Sequence, residues 1–287
     1  MELKNIPQNV SKREETAMNY MVSLLKEIVK KRKLILDLAK ADFKKRFVGS
    51  YFGVAWMFLQ PLATVLVYFF VFQLGFGNTP PVPDVPYVAW LIPGIVPWFF
   101  FSEVINMGTN CLQEYNYLVK KVVFQVEILP IIKMLSCLMV HLIFAAVMIV
   151  IFLCFGIKPK LSWLQILYYS FANSMLSLAI IYFTSAINVF FKDMTQIVGI
   201  MLQFGMWMVP IMWHPDMFPN APEWLSEVLK INPLYYVVAG YRDSMLTNDG
   251  FWNRPMLGLY FWGFTIVLML ISLKVFKKLR PHFSDVL

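Results

Sequence analysis

Acidic residues, histidine and cysteine are all scarce in this chain: 17 Asp and Glu against 25 Lys and Arg, three His and three Cys in 287 residues. No G-x-x-x-x-G-K-[ST] stretch occurs, so the glycine loop and lysine that grip nucleotide phosphates are missing, and the chain is not expected to hydrolyse ATP itself. His141, His214 and His282 lie far apart, without Cys or carboxylate at ligand spacing, which argues against a zinc or iron centre. Cys111, Cys137 and Cys154 fall in or beside apolar stretches and read as small apolar residues rather than a disulfide framework. Carboxylates are too sparse within those stretches for a relay of several buried acids. The first 20 residues are polar and charged with no apolar run, so no cleavable signal peptide is expected and the first span itself directs insertion. Low-complexity tracts and short internal repeats are also missing.

Apolar residues dominate instead, at 59% of the chain. Six long apolar stretches cover about 51–76, 86–111, 129–155, 161–191, 196–213 and 252–276. A helix needs on the order of 20 such residues to cross a hydrocarbon core of about 30 Å. Only helices and closed barrels satisfy their backbone groups there, and the alternating ten-residue segments of a barrel do not occur. The expected fold is therefore all-α: a polytopic membrane protein with six transmembrane helices and no sizeable soluble domain. If both termini are cytoplasmic, 20 Lys and Arg fall on inside segments and five (Lys158, Lys160, Lys230, Arg242 and Arg254) outside. That asymmetry follows the positive-inside rule, and the inverted topology would violate it. The net charge of +8 then reflects topology and contact with anionic lipids. Nucleic acid is a poor partner, because the cations sit at span ends rather than on one soluble face.

The linking segments divide the chain further. Residues 1–17 form a polar cytoplasmic tail. Residues 18–47 place Leu24, Leu25, Ile28, Ile35, Leu38 and Phe43 near helical spacing among basic flanks, as in an amphipathic helix lying in the membrane interface. Residues 48–276 make the six-span domain and 277–287 a cytoplasmic tail. Within the domain, 112–128 is a short cytoplasmic segment with charged ends and exposed Tyr115, Tyr117, Leu118 and Phe124, suited to a groove on a partner. Residues 214–250 hold two apolar helices too short to span, the second opened by Asn232-Pro233, since Asn caps well and Pro suits the first helical position. They read as a re-entrant hairpin at the outer face.

Polar and aromatic residues recur on single faces of four spans. Trp56, Gln60, Thr64 and Tyr68 repeat every four residues, and Glu103, Asn106, Asn110 and Gln113 step by three and four. Asn173, Ser177, Thr184 and Asn188 mark the fourth span, and Gln196, Gly199, Gln203 and Met206 the fifth. Facing lipid would be costly, so these stripes point into the bundle, either as interhelical glue or as the lining of a wet passage. Rings with polar tips suit sugars, which offer C–H faces and hydroxyl edges. Trp56, Gln60, Tyr68, Glu103, Asn106, Asn173, Ser177 and Gln203 are the expected lining. Glu103, deep in its span, either stands at the cytoplasmic mouth or pairs with a lysine such as Lys133.

Several motifs carry a family resemblance. Phe43-Lys44-Lys45-Arg46-Phe47-Val48-Gly49-Ser50-Tyr51-Phe52-Gly53, with Trp56 and Pro61, resembles the entry motif of the polysaccharide-export branch of type 2 ATP-binding-cassette permeases. Gly94-Ile95-Val96-Pro97-Trp98-Phe99-Phe100-Phe101-Ser102 is similar to its second span, and Leu118-Val119-Lys120-Lys121-Val122-Val123-Phe124 with Glu127-Ile128-Leu129-Pro130 to its coupling segment, with Gln125 where the family usually has Pro. Phe191-Lys192-Asp193 resembles its cytoplasmic turn, and Asn232-Pro233 through Tyr241-Arg242 its outer helices. The resemblance implies a homodimer of permeases working with two separate ATPase subunits. The expected cargo is a lipid-linked glycan of O-antigen, capsule or teichoic acid type, exported across a bacterial cytoplasmic membrane. No cofactor is implied on this chain, ATP and Mg belonging to the partner. It also implies ATPase coupling through Tyr117, Leu118, Lys120, Lys121, Phe124, Lys192 and Asp193, and an outer gate at Trp224, Asn232, Pro233, Tyr241 and Arg242. The rival expectations are a type 2 permease for drugs or simple lipids, and a membrane-embedded enzyme or scaffold that works without ATP.

Overall fold

Every regular element among the described residues is helical. The structure, a computed structural model, describes residues 17–46, 48, 51–83, 85–120, 125–217, 222–247 and 249–287. Two helices, α1 (Ala17–Lys30) and α2 (Arg32–Lys45), precede the first long one. That helix begins as a short 3-10 turn at Gly53–Ala55, continues as α3 (Trp56–Tyr68) and ends in π-helical form over Phe69–Gly75. Helix α4 (Tyr87–Thr109) follows, then two single turns, α5 (Cys111–Glu114) and α6 (Asn116–Val119). Helices α7 (Ile128–Cys154), α8 (Gln165–Asn188) and α9 (Met194–Met208) complete the middle of the chain. The short pair α10 (Glu223–Ile231) and α11 (Pro233–Arg242) precedes α12 (Pro255–Leu279) and the terminal turn α13 (Phe283–Val286).

Five helical stretches have the length and apolarity to cross a membrane, and α9 is a shorter apolar helix. Of the six expected spans, the fifth is this shorter helix. Helix α9 stops at Met208 because Pro210 offers no N–H to continue it and biases Val209 toward extended backbone, where ψ is 126°. Its 15 residues rise about 22 Å, short of the ~30 Å hydrocarbon layer. The chain then runs on through buried Val209, Pro210, Ile211 and Met212.

Helices α4 and α8 form the heart of the bundle, with α7 and α12 packed around them. Large apolar side chains such as Val150, Leu167, Ile266 and Val267 remain exposed on the outer faces, as suits a lipid surround. The single amphipathic helix expected over 18–47 is instead two helices joined at Lys31. Helix α1 packs on α12 and α2 on α7, burying Ile35 and Ala39 while Leu34 and Leu36 stay exposed. At the opposite end, α11 lies between α4 and α8 with Leu234, Val237, Val238 and Tyr241 buried. Asn232 accepts a hydrogen bond from the Leu234 amide at 3.0 Å and Pro233 occupies the first turn, so the Asn-Pro pair starts the helix as its chemistry predicts.

Candidate substrate passage and coupling end

Trp56, Gln60 and Thr64 are one turn apart on α3, and Ser102, Glu103 and Asn106 share a face of α4. With Phe144 of α7 and Arg46 they line a cavity of about 700 Å³. The cavity is amphipathic: rings and aliphatic walls carry amide, hydroxyl and charged groups at intervals. Such a cavity between helices accommodates polar side chains that lipid would not.

The other expected lining residues lie elsewhere. Tyr68 donates from its hydroxyl to Met206 Sδ at 3.2 Å, joining α3 to α9. Asn173 is fully buried, and its Nδ2 donates to the Pro97 carbonyl at 2.9 Å, tying α8 to α4. Ser177 is also fully buried, while Gln203 is exposed on α9. Further along the same stripes, the Thr109 and Thr184 hydroxyls share a hydrogen bond at 2.8 Å. Asn188 Nδ2 donates to Thr109 O at 3.0 Å, and Thr195 Oγ1 donates to Asn110 Oδ1 at 2.7 Å. Here the polar residues bind helix to helix.

Beside the cavity lies a charge network that periodicity alone does not reveal. Lys133 on α7 is fully buried, and its Nζ donates to Asp42 Oδ1 at 2.6 Å and sits 2.7 Å from Glu114 Oε2. The Tyr115 hydroxyl donates to the same Asp42 oxygen at 2.5 Å. One turn beyond Asp42, Arg46 donates to Glu103 Oε1 at 2.5 Å and to Cys137 Sγ at 3.1 Å, and lies 3.6 Å from Asp42 Oδ2. Lys45 stands 3.5 Å from Glu114. Glu103 therefore pairs with Arg46 and not with Lys133, whose ammonium is committed to Asp42 and Glu114. Burial raises the Asp42 pKa, but the hydrogen bonds from Lys133 and Tyr115 outweigh it and hold the carboxyl below its ordinary value. The missed residues are Asp42 and Arg46. Their only signal is an acid on the apolar face of a basic helix with a cation four residues on.

The turns α5 and α6 place Tyr117 and Lys120 in the open, while Leu118 packs against the core. Lys121 and Phe124 lie outside the described residues. Lys192 and Asp193 are exposed in the turn between α8 and α9 at this same end, where Gln113 Nε2 donates to the Asn188 carbonyl at 2.7 Å. The C-terminal stretch joins them, with Arg280 paired to Glu127.

At the far end, Tyr241 is buried with its hydroxyl 2.7 Å from His141 Nε2 and 2.6 Å from Ser170 Oγ. The Arg242 guanidinium lies 3.7 Å above the Trp90 ring and donates to the carbonyls of Pro210, at 2.5 Å, and Ile211. This buried cation fastens α11 to α4 and to the turn after α9. Beside it Asp243 pairs with Arg254 at 3.0 Å; burial pushes its carboxyl pKa up to about 6, with Arg254 acting against the rise. Trp224 on α10 is exposed. Among the described residues, no three His, Cys, Asp or Glu side chains are placed to hold a metal ion.

Residues 34–246 match the ABC-2 type transporter family. The chain is 29% identical over 261 residues to an O-antigen export system permease protein, RfbA, of Klebsiella pneumoniae, covering 88% of this chain and 95% of that one. It is 25% identical over 267 residues to the RfbA permease of Myxococcus xanthus, covering 92% and 99%. It is 22% identical over 240 residues to the polysialic acid transport protein KpsM of Escherichia coli, covering 82% and 89%. The spanning helices and the family match together make this an integral membrane transport subunit, and the chain belongs to the ABC-2 type transporter family.

Proposed function

We propose that the chain is the permease of an ATP-driven exporter that moves a lipid-linked polysaccharide across a bacterial cytoplasmic membrane. The observation that carries this reading is the cavity between α3, α4 and α7, whose rings, amides and hydroxyls match the mixed apolar and hydrogen-bonding surface of a glycan. The relatives named for O-antigen export and polysialic acid transport support the same cargo class.

On this reading both termini are cytoplasmic, α1 and α2 lie in the inner interface, and α10 and α11 re-enter the outer leaflet. A second copy covers the exposed faces of α3 and α9 and completes the passage. Two separate ATPase subunits bind ATP and Mg and dock on α5, α6 and the residues that follow. Their closure on nucleotide moves the docked segment, and the bundle passes between inward-open and outward-open arrangements. Nucleotide shifts that equilibrium only through a difference in affinity between the two arrangements. Arg242 and Trp90 hold α11 at the exit.

The test is reconstitution of the chain with its ATPase in vesicles carrying lipid-linked glycan. Export requiring both chains and Mg-ATP is the expected result. Transport by the isolated chain without nucleotide would overturn the proposal.

A further inference from the structure

Buried Asp42 in the last turn of α2 and partly buried Arg46, the residue that caps the helix four positions on, face different parts of the machine. Asp42 meets the bend between α5 and α6 from two sides: directly through Tyr115, the residue at the bend, and through Lys133 to Glu114, the last residue of α5. Arg46 meets Glu103, a wall residue of the cavity. One rigid helical turn thus lies between the coupling segment and the passage.

The network is balanced, with carboxylates Asp42, Glu103 and Glu114 against cations Lys45, Arg46 and Lys133. It therefore lacks the excess of one sign that would mark a site for a charged ligand. Nor does stability require it, because well-packed apolar residues serve as well as a buried ion pair. Short charged contacts between desolvated groups do fix a geometry, since displacing either partner strands the other.

We infer that Asp42 and Lys133 lock α2 to the coupling segment as a single body, and that Arg46 carries its motion to the cavity wall at Glu103. This rests on the export reading above. ATPase closure then moves the interfacial helix and the passage entrance in one step, so the entrance changes shape only when the motor does. Asp42, Lys133 and Arg46 are positioning residues on this account.

The experiment uses the complete transporter with its ATPase in nanodiscs. Spin labels go on exposed sites at Leu36→Cys of α2, Asn116→Cys of α6 and Leu167→Cys of α8, in a background where exposed Cys154 is replaced by Ser. Binding of Mg-ATP to a hydrolysis-deficient partner is expected to leave the α2 to α6 distance unchanged while both move relative to Leu167→Cys. A second arm pairs Asp42→Leu with Lys133→Met, which strands no charge between them. In this variant the α2 to α6 distance becomes nucleotide-dependent and glycan exported per ATP falls roughly tenfold, within the usual range of coupling free energies. Tyr115→Phe, which removes only the hydroxyl donated to Asp42, lowers the same ratio in part and serves if the double variant does not assemble. An α2 to α6 distance that changes in the unmodified transporter, or unchanged export per ATP in both variants, would overturn the inference. Failure of the unmodified transporter to export glycan would instead refute the underlying reading, and it is measured first.

Discussion

Gly94 on α4, beneath Arg242 of α11, leaves no room for even a single methyl group. A Cβ built there would lie 2.6 Å from Arg242 Nη2 and 3.1 Å from Cζ, well inside contact distance. The guanidinium cannot retreat cheaply, because its other side is committed to the Pro210 and Ile211 carbonyls and its face to Trp90. Gly94→Ala gains about 1 kcal/mol from helix propensity. Against that stand overpacking at about 1–3 kcal/mol and about 1–3 kcal/mol for each buried carbonyl left unpaired. With one carbonyl unpaired the net is a loss of about 1–5 kcal/mol, at roughly 2–4 °C in melting temperature per kcal/mol for a chain of this size. Gly263→Ala is the matched control: it sits within α12 and its Cβ meets nothing within 4 Å, so propensity acts alone and the variant melts at or slightly above the parent. Thermal unfolding of the detergent-purified protein, followed by loss of the monodisperse peak, reads both. Equal melting temperatures for Gly94→Ala and Gly263→Ala would refute the packing account of Arg242.

Glu103→Gln removes the charge that holds Arg46 at the cavity wall, and export is expected to fall several-fold at normal expression, read as surface glycan; unaltered flux would remove Glu103 from the pathway. Reversing charge at Lys120 and Lys121 should leave a folded permease whose partner hydrolyses ATP without export, and normal export in that variant would count against docking there. Asp243 supplies a pH dependence. Its folded pKa of about 6 lies above the ordinary 3.8, so the folded state holds the proton more tightly. The favourable contribution is full below about pH 4 and is lost as pH rises through about 6. The parent should therefore gain stability relative to Asp243→Asn as pH falls from 7 to 5, and parallel melting curves across that range would contradict it.

The membrane helices are legible in the sequence because apolar length is a one-dimensional property, and the basic bias of the linkers is equally local. The end of α9 at Met208 is not legible, because the apolar run continues to residue 213 and conceals the break that Pro210 makes. The polar stripes are readable only as stripes. Trp56, Gln60, Glu103 and Asn106 meet in one cavity, whereas Asn173 and Ser177, of the same chemistry and spacing, are enclosed between helices. Periodicity assigns a residue to the inward face of its own helix, and what stands opposite depends on a neighbour distant in sequence. The charge network is hidden for that reason. Asp42 and Lys133 are 91 residues apart, and Asp42 alone looks like an acid in a basic surface helix. Arg242 resembles an exposed outer cation until Gly94 and Trp90, far earlier in the chain, are brought beneath it.

The passage itself is tested most directly by photo-crosslinking in exporting cells. A benzophenone side chain placed at Gln60 or at Asn106 faces the cavity, and one at Gly263 lies on an exposed face of α12. With an active ATPase partner, glycan should crosslink at both cavity positions and not at Gly263. Crosslinking at Gly263 with none at Gln60 or Asn106 would place the cargo outside the bundle and contradict the account.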